Sequence, residues 1–186
     1  MSQSGRGQEE DLAALRDRVR QALRPVPDFP QPGVLFQDIA PVLGDARLLA
    51  DVVAALADPW RDGAVTHVAG VESRGFILAA PVALALGAGF VPIRKPGKLP
   101  WRTVSTEYAL EYGTGRLEMH EDACPAESRV LIVDDVLATG GTASAACRLV
   151  EAVGVLVVGC GFLAEIRALG GASRLESRRW SALVSC

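Results

Sequence analysis

The chain has 186 residues, enough for one substantial hydrophobic core with a small appendage but cramped for two full domains. Hydrophobic residues at 49% and charged residues at 22% exclude a largely disordered chain, and aromatics at only 5% leave the packing to Ala, Val and Leu. A net charge of -3 excludes the broadly basic surface that non-specific nucleic-acid binding needs, although helix termini and backbone amides can still supply local positive potential to a phosphate.

Residues 1–10 are polar and are expected to be loose. Leu12, Leu15, Val19 and Leu23 then recur at three- and four-residue spacing and predict one apolar helix stripe. Pro25, Pro27, Pro30 and Pro32 force an extended, irregular path, and FPQPGVLFQDIAPVLGD reads as a structured loop over a pocket. Asp45 is placed to cap a helix through LLADVVAAL that ends near Pro59.

A repeated grammar follows. VTHVAGV predicts a strand, Glu72, Ser73, Arg74 and Gly75 a polar turn, and FILAAPVALALG a helix; VLIVDD, ATGGT and ASAACRLVEAV repeat that order. With FVPIRK and VVGCGFLAE as further strands, the chain reads as α/β, a mostly parallel sheet flanked by helices, with ligands expected at the carboxyl ends of the strands. The organisation expected is a tail and helix over 1–24 and a single domain over 25–186, with a small hood near 25–44 and a mobile flap near 95–115. FILAAPVALALGAGFVPI is too short and too broken by Pro81, Gly87 and Gly89 to predict a membrane span. Cys124, Cys147, Cys160 and Cys186 form no CxxC pair. Cys147 and Cys160 read as small buried hydrophobes, so a reducing, cytoplasmic setting is expected and a zinc site is not. His67 and His120 are not at metal-ligand spacing.

Residues 130–142, VLIVDDVLATGGT, carry the diagnosis. A buried strand delivers Asp134 and Asp135 to the sheet edge, and Ala138, Thr139, Gly140, Gly141 and Thr142 follow at the start of a helix. Adjacent carboxylates can hold two neighbouring ribose hydroxyls, directly or through waters of a magnesium ion, while a glycine-rich turn lets backbone N–H groups close around a phosphate. The two threonines add hydroxyl donors, and the helix start adds unsatisfied amides. The blander reading is a Gly/Thr turn with two exposed, capping aspartates. No GxxxxGK[ST] or GxGxxG is present, so neither a Walker A loop nor a dinucleotide fold is indicated. Arg74 can neutralise a bound anion with its fork of donors, or simply lie at the surface.

The VDDVLATGGT run resembles the signature of the type I phosphoribosyltransferases. That resemblance implies a site for 5-phosphoribosyl-1-diphosphate, with Asp134 and Asp135 on the ribose side and residues 138–142 around the 5'-phosphate. It also implies a sometimes-cis peptide at Glu72–Ser73, a leaving diphosphate near Glu72, Ser73 and Arg74, and further contacts from Arg94, Lys95 and Lys98, partly across a homodimer interface. FPxPGxxFxDI, ESRGF, RKPGKLP and LEYG narrow the resemblance to the adenine-using members, over about residues 28–170. Phe36 would then stack on the base beside Leu35 and Gln37, with Val136 and Ala138 on the opposite face. Gln37 stands where many relatives carry arginine.

The activity so implied is purine salvage by phosphoribosyl transfer. N9 of adenine would attack C1', giving AMP and diphosphate, with Mg²⁺ as cofactor, met by Asp134 and Asp135 through water rather than by direct ligation. Arg74, Asp134 and Asp135 would act electrostatically, and Glu111 is the one acid–base candidate, a carboxylate suited to exchanging a proton with a purine nitrogen. Neither nucleic acid nor membrane is expected as a partner. Two rivals stand beside this reading: a 6-oxopurine phosphoribosyltransferase, and a non-catalytic regulator that senses phosphoribosyl diphosphate and binds nucleic acid.

Overall fold

The computed structural model describes residues 3–109, 114–175 and 178–186. The central sheet is wholly parallel and runs in the order β4 (Gly89–Ile93), β3 (His67–Val71), β7 (Arg129–Leu137), β8 (Leu156–Glu165), β9 (Trp180–Ser185). Helix α4 (Arg74–Leu86) carries the chain from β3 outward to β4, whereas α5 (Gly141–Glu151) carries it from β7 outward to β8 in the other direction. The connections diverge between β3 and β7, and such a divergence opens a crevice at the carboxyl ends of the two strands.

The pleat sorts the core into two layers. Leu131 and Val133 of β7 and Val68 of β3 share a layer with α1 (Gln3–Ala22), α2 (Ala40–Gly44), α3 (Ala46–Ala57) and α4; Val130, Ile132 and Ala69 face α5. Two antiparallel hairpins flank the sheet: β1 (Arg24–Pro27) with β2 (Leu35–Asp38), and β5 (Thr103–Ala109) with β6 (Thr114–His120).

Several elements form for reasons visible in the sequence. Leu15, Val19 and Leu23 of the expected stripe are buried, and Arg16 ties α1 to β9 by donating from Nε to the Leu183 carbonyl at 3.0 Å. Asp45 caps α3 by accepting from the Arg47 and Leu48 N–H groups at 3.0 and 2.9 Å. Cys147 and Cys160 are buried, their Sγ atoms 3.5 Å apart.

Three expectations are corrected. Residues 3–10 are not loose but already helical, since their Gln, Arg and Glu residues are good helix formers that extend the anchored stripe by further turns. The proline-rich segment is not irregular throughout. Pro25 and Pro27 sit in β1 of a two-stranded ribbon, where an edge strand tolerates missing N–H donors, and the ribbon is clasped by an Arg24–Asp38 ion pair. The segment after Lys98 forms seven-residue paired strands that its mixed composition concealed.

Candidate active site

Four buried aliphatics, Val130 to Val133, lock β7 into the sheet and bring Asp134 and Asp135 to its carboxyl end. The turn that follows is tightly built. Gly140 has φ 76°, and a Cβ there would overlap the Gly171 carbonyl; a Cβ on Gly171 would in turn overlap the Ala138 carbonyl. The loop therefore rests backbone-to-backbone on Gly171. No side chain caps α5, so the amides of its first turn remain available at the pocket edge. Thr139, Gly140, Gly141 and Thr142 all line a cavity of about 720 Å³ together with Glu72, Ser73, Arg74, Lys95, Asp134 and Asp135.

Across the crevice, the β3–α4 turn contains a cis peptide between Glu72 and Ser73. Arg74 Nε lies 2.6 Å from Asp135 Oδ2, an ion pair whose N–H is not aligned for a hydrogen bond, so this buried oxygen keeps no directed donor. The same guanidinium sits over the Phe36 ring, 4.6 Å from its centroid. Gly75 is required beside it, because a Cβ there would come within 2.7 Å of Asp134 Oδ1. Desolvation pushes the Asp134 carboxyl well above its usual range, and the neighbouring Asp135 charge pushes it further. Asp135 is raised as well, again by burial, with Arg74 opposing the rise. This pair resists carrying two charges at once, so it suits hydroxyl donors or a cation.

Glu72 is largely committed to structure. Its Oε2 accepts from the Lys95 N–H at 2.9 Å and lies 3.3 Å from Arg94 Nε, and the Lys95 amide is the main reason its carboxyl falls below the usual range. Arg94 donates from Nη1 to the Lys98 carbonyl at 2.8 Å. Of the three basic residues expected near diphosphate, Lys95 reaches the cavity, whereas Arg94 and Lys98 lie outside its lining.

A second cavity of about 490 Å³ adjoins the first, sharing Arg74, Val136, Ala138, Thr139, Gly141 and Thr142. Leu35, Phe36, Gln37, Val136 and Ala138, the expected base contacts, all line it. So do Tyr108, Ile166 and Leu169. Phe29, unanticipated, lines the first cavity and meets Phe36 edge-on with centroids 5.1 Å apart. Glu111 lies outside the described residues.

Comparison with known proteins is consistent with this arrangement. A family model described as "Phosphoribosyl transferase domain" matches residues 43–181. Adenine phosphoribosyltransferase of Myxococcus xanthus is 56% identical over 88% of this chain and 89% of its own length. The chain belongs to the adenine phosphoribosyltransferase family, within the type I phosphoribosyltransferases. The crystal structure of the Rhodothermus marinus member superposes with a TM-score of 0.90 at 50% identity, covering 94% of this chain and 99% of that one. The Saccharomyces cerevisiae member, solved with an imino-altritol bisphosphate and adenine, gives a TM-score of 0.87 at 37% identity, covering 92% and 99%.

Against that family frame, the donor set bears on a metal. Among the described residues no group of three His, Cys, Asp or Glu side chains is gathered, and Asp134 and Asp135 are adjacent hard-oxygen donors in the cavity lining. Two carboxylates suit an ion whose other ligands are substrate oxygens and water, as Mg²⁺ usually keeps. Likewise, no helix among the described residues is long and apolar enough to cross a membrane.

Proposed function

We infer that the protein transfers the 5-phosphoribosyl group from 5-phosphoribosyl-1-diphosphate to adenine, giving AMP and diphosphate. The observation that carries this reading is the pair of contiguous cavities at one strand end: a polar one bounded by Asp134, Asp135 and the 138–142 turn, and a more apolar one bounded by Phe36, Val136 and Leu169. A sugar phosphate and a flat base joined at C1' need that adjacency.

In this reading the 138–142 amides and threonine hydroxyls hold the 5'-phosphate, Asp134 and Asp135 accept from the ribose hydroxyls, and Arg74 with Lys95 receives the diphosphate. Adenine enters between Phe36 and Val136, its N9 aligned on C1'. The N9–C1' bond forms as the C1'–O bond to diphosphate breaks, and the N9 proton passes to Glu111 of the flap. The negative carboxylates favour the positive charge that develops on the sugar. Asp134 and Asp135 would hold Mg²⁺, directly or through water, and the ion would supply charge neutralisation to the diphosphate. Residues 25–44 and 95–115 act as hood and flap around the single 25–186 domain.

The assembly is a homodimer in this reading. Helix α4 and edge strand β4 expose Ile77, Leu84 and Phe90 at 46%, 82% and 38%, apolar side chains that a second copy would cover.

The test is product formation from phosphoribosyl diphosphate and Mg²⁺ with adenine, hypoxanthine, guanine and xanthine in parallel. AMP from adenine alone is expected; a 6-oxopurine nucleotide moves the base assignment, and binding without turnover of any base overturns the enzymatic reading.

A further inference from the structure

Glu118 lies on β6, lines neither cavity and is only 8% exposed. A carboxylate so buried is costly unless its oxygens are used. The Glu118 backbone exchanges both ladder bonds with Arg94, N–H to carbonyl at 2.7 Å and carbonyl to N–H at 2.8 Å. Its side chain reaches three residues further along that partner segment, where Oε2 accepts the Gly97 N–H at 3.0 Å. The other oxygen lies 3.9 Å from Arg116 Nε. Gly97 has φ 72°, so the turn at its apex is one that other residues adopt with strain.

The turn from Arg94 to Lys98 is thereby clamped by two carboxylates from different elements. Glu72, at the end of β3, takes the Lys95 amide, and Glu118, on the β5–β6 hairpin, takes the Gly97 amide. Lys95, the basic residue of this turn that reaches the phosphate-side cavity, carries the first clamp on its own amide, two residues before the second. A lysine on a free loop would lose affinity to ordering entropy, whereas one on a clamped backbone is presented in advance.

We propose that Glu118 is a positioning residue for diphosphate: by holding the Gly97 N–H it fixes the basic turn and couples it to the β5–β6 hairpin. This rests on the reading of the larger cavity as the phosphoribosyl-diphosphate site. Reach, not charge, is the required property, and three substitutions separate the two. Glu118→Gln keeps an acceptor oxygen at the same distance, Glu118→Asp keeps the charge but falls one methylene short, and Glu118→Ala removes both.

The experiment is steady-state kinetics of the full chain with both substrates varied, joined to calorimetric titration with inorganic diphosphate and Mg²⁺. The Asp and Ala variants are expected to raise the KM for phosphoribosyl diphosphate, and to weaken diphosphate binding, by about tenfold, as loss of one hydrogen bond at a charged group does. The KM for adenine stays within about twofold in the same variants, because the clamp touches no base contact. Glu118→Gln restores parent-like values. Should the Ala variant fail to fold, the Asp and Gln variants decide alone. Equal rises in both KM values, an unchanged KM for phosphoribosyl diphosphate in the Asp variant, or a Gln variant as impaired as Asp would overturn the proposal. A parent protein that makes no AMP sinks the proposed reaction instead, and the diphosphate titration across the three variants still decides the role of Glu118.

Discussion

The two halves of the pocket are made of different material. The phosphate side is mostly backbone and fixed charge: nine consecutive residues, 134–142, deliver two carboxylates, a glycine turn and a helix start, seated without clearance on Gly171. The base side is mostly side chains, brought from Leu35–Gln37, Tyr108, Val136, Ile166 and Leu169. Backbone in close contact has no smaller or larger version, so the first half should fail abruptly when altered. Side chains can be trimmed by degrees, so the second should fail gradually and is the natural place for base specificity to be tuned.

The sharpest break is expected at Arg74, which joins the halves by pairing with Asp135 and covering Phe36. Arg74→Ala should lower kcat/KM by about 10²–10³, the usual cost of a preorganised charge-stabilising donor; steady-state kinetics with both substrates reads it, and a loss below tenfold contradicts the role given to it.

Asp134→Asn should separate function from stability. Activity should fall by about 10–100-fold through loss of a charged acceptor, while the ligand-free fold becomes more stable at neutral pH. Both carboxyls have folded-state pKa values raised above the unfolded 3.8, so the stability they contribute is complete below that value and is lost as pH rises through the raised values. The Tm advantage of the variant over the parent should therefore grow with rising pH. Thermal melts across pH 4 to about 8 check the sign, and an advantage that shrinks with pH refutes it.

The smallest effect belongs to Leu169, which is 47% exposed at the rim of the base side. Leu169→Ala should raise the KM for adenine about two- to fivefold, as partial loss of apolar contact implies, and leave that for phosphoribosyl diphosphate alone.

The same contrast governs what the sequence discloses. Because Asp134 to Thr142 are contiguous, their chemistry is readable as a string, and the buried run before them fixes their place at a strand end. The cap at Asp45 and the β3–α4 unit are readable for the same local reason. Spacing along a chain carries periods of 2 and 3.6 but not which distant loops touch. Thus Gly171 under the phosphate turn, Phe29 against Phe36, Ile166 and Leu169 at the base side, and Glu118 behind the basic turn all depend on tertiary approach. Strand β9 is equally hard to read, because WSALV has strand-like residues but is too short to declare a period of two. Val104, Thr106 and Tyr108 likewise offered β-favouring residues that the polar neighbours masked.

The division of the pocket is tested most directly by measuring the two KM values for Gly140→Ala and Phe36→Ala side by side. Gly140→Ala meets both a left-handed backbone and the Gly171 carbonyl, so it should raise the KM for phosphoribosyl diphosphate at least about tenfold, leave adenine nearly unchanged, and lower Tm by about 4–8 °C. Phe36→Ala removes a stacking face worth about 1–3 kcal/mol and should raise the KM for adenine about 5- to 150-fold with little change for phosphoribosyl diphosphate. Opposite selectivity in the two variants is the predicted result; two KM values that rise together in both variants would contradict a site built in separable halves.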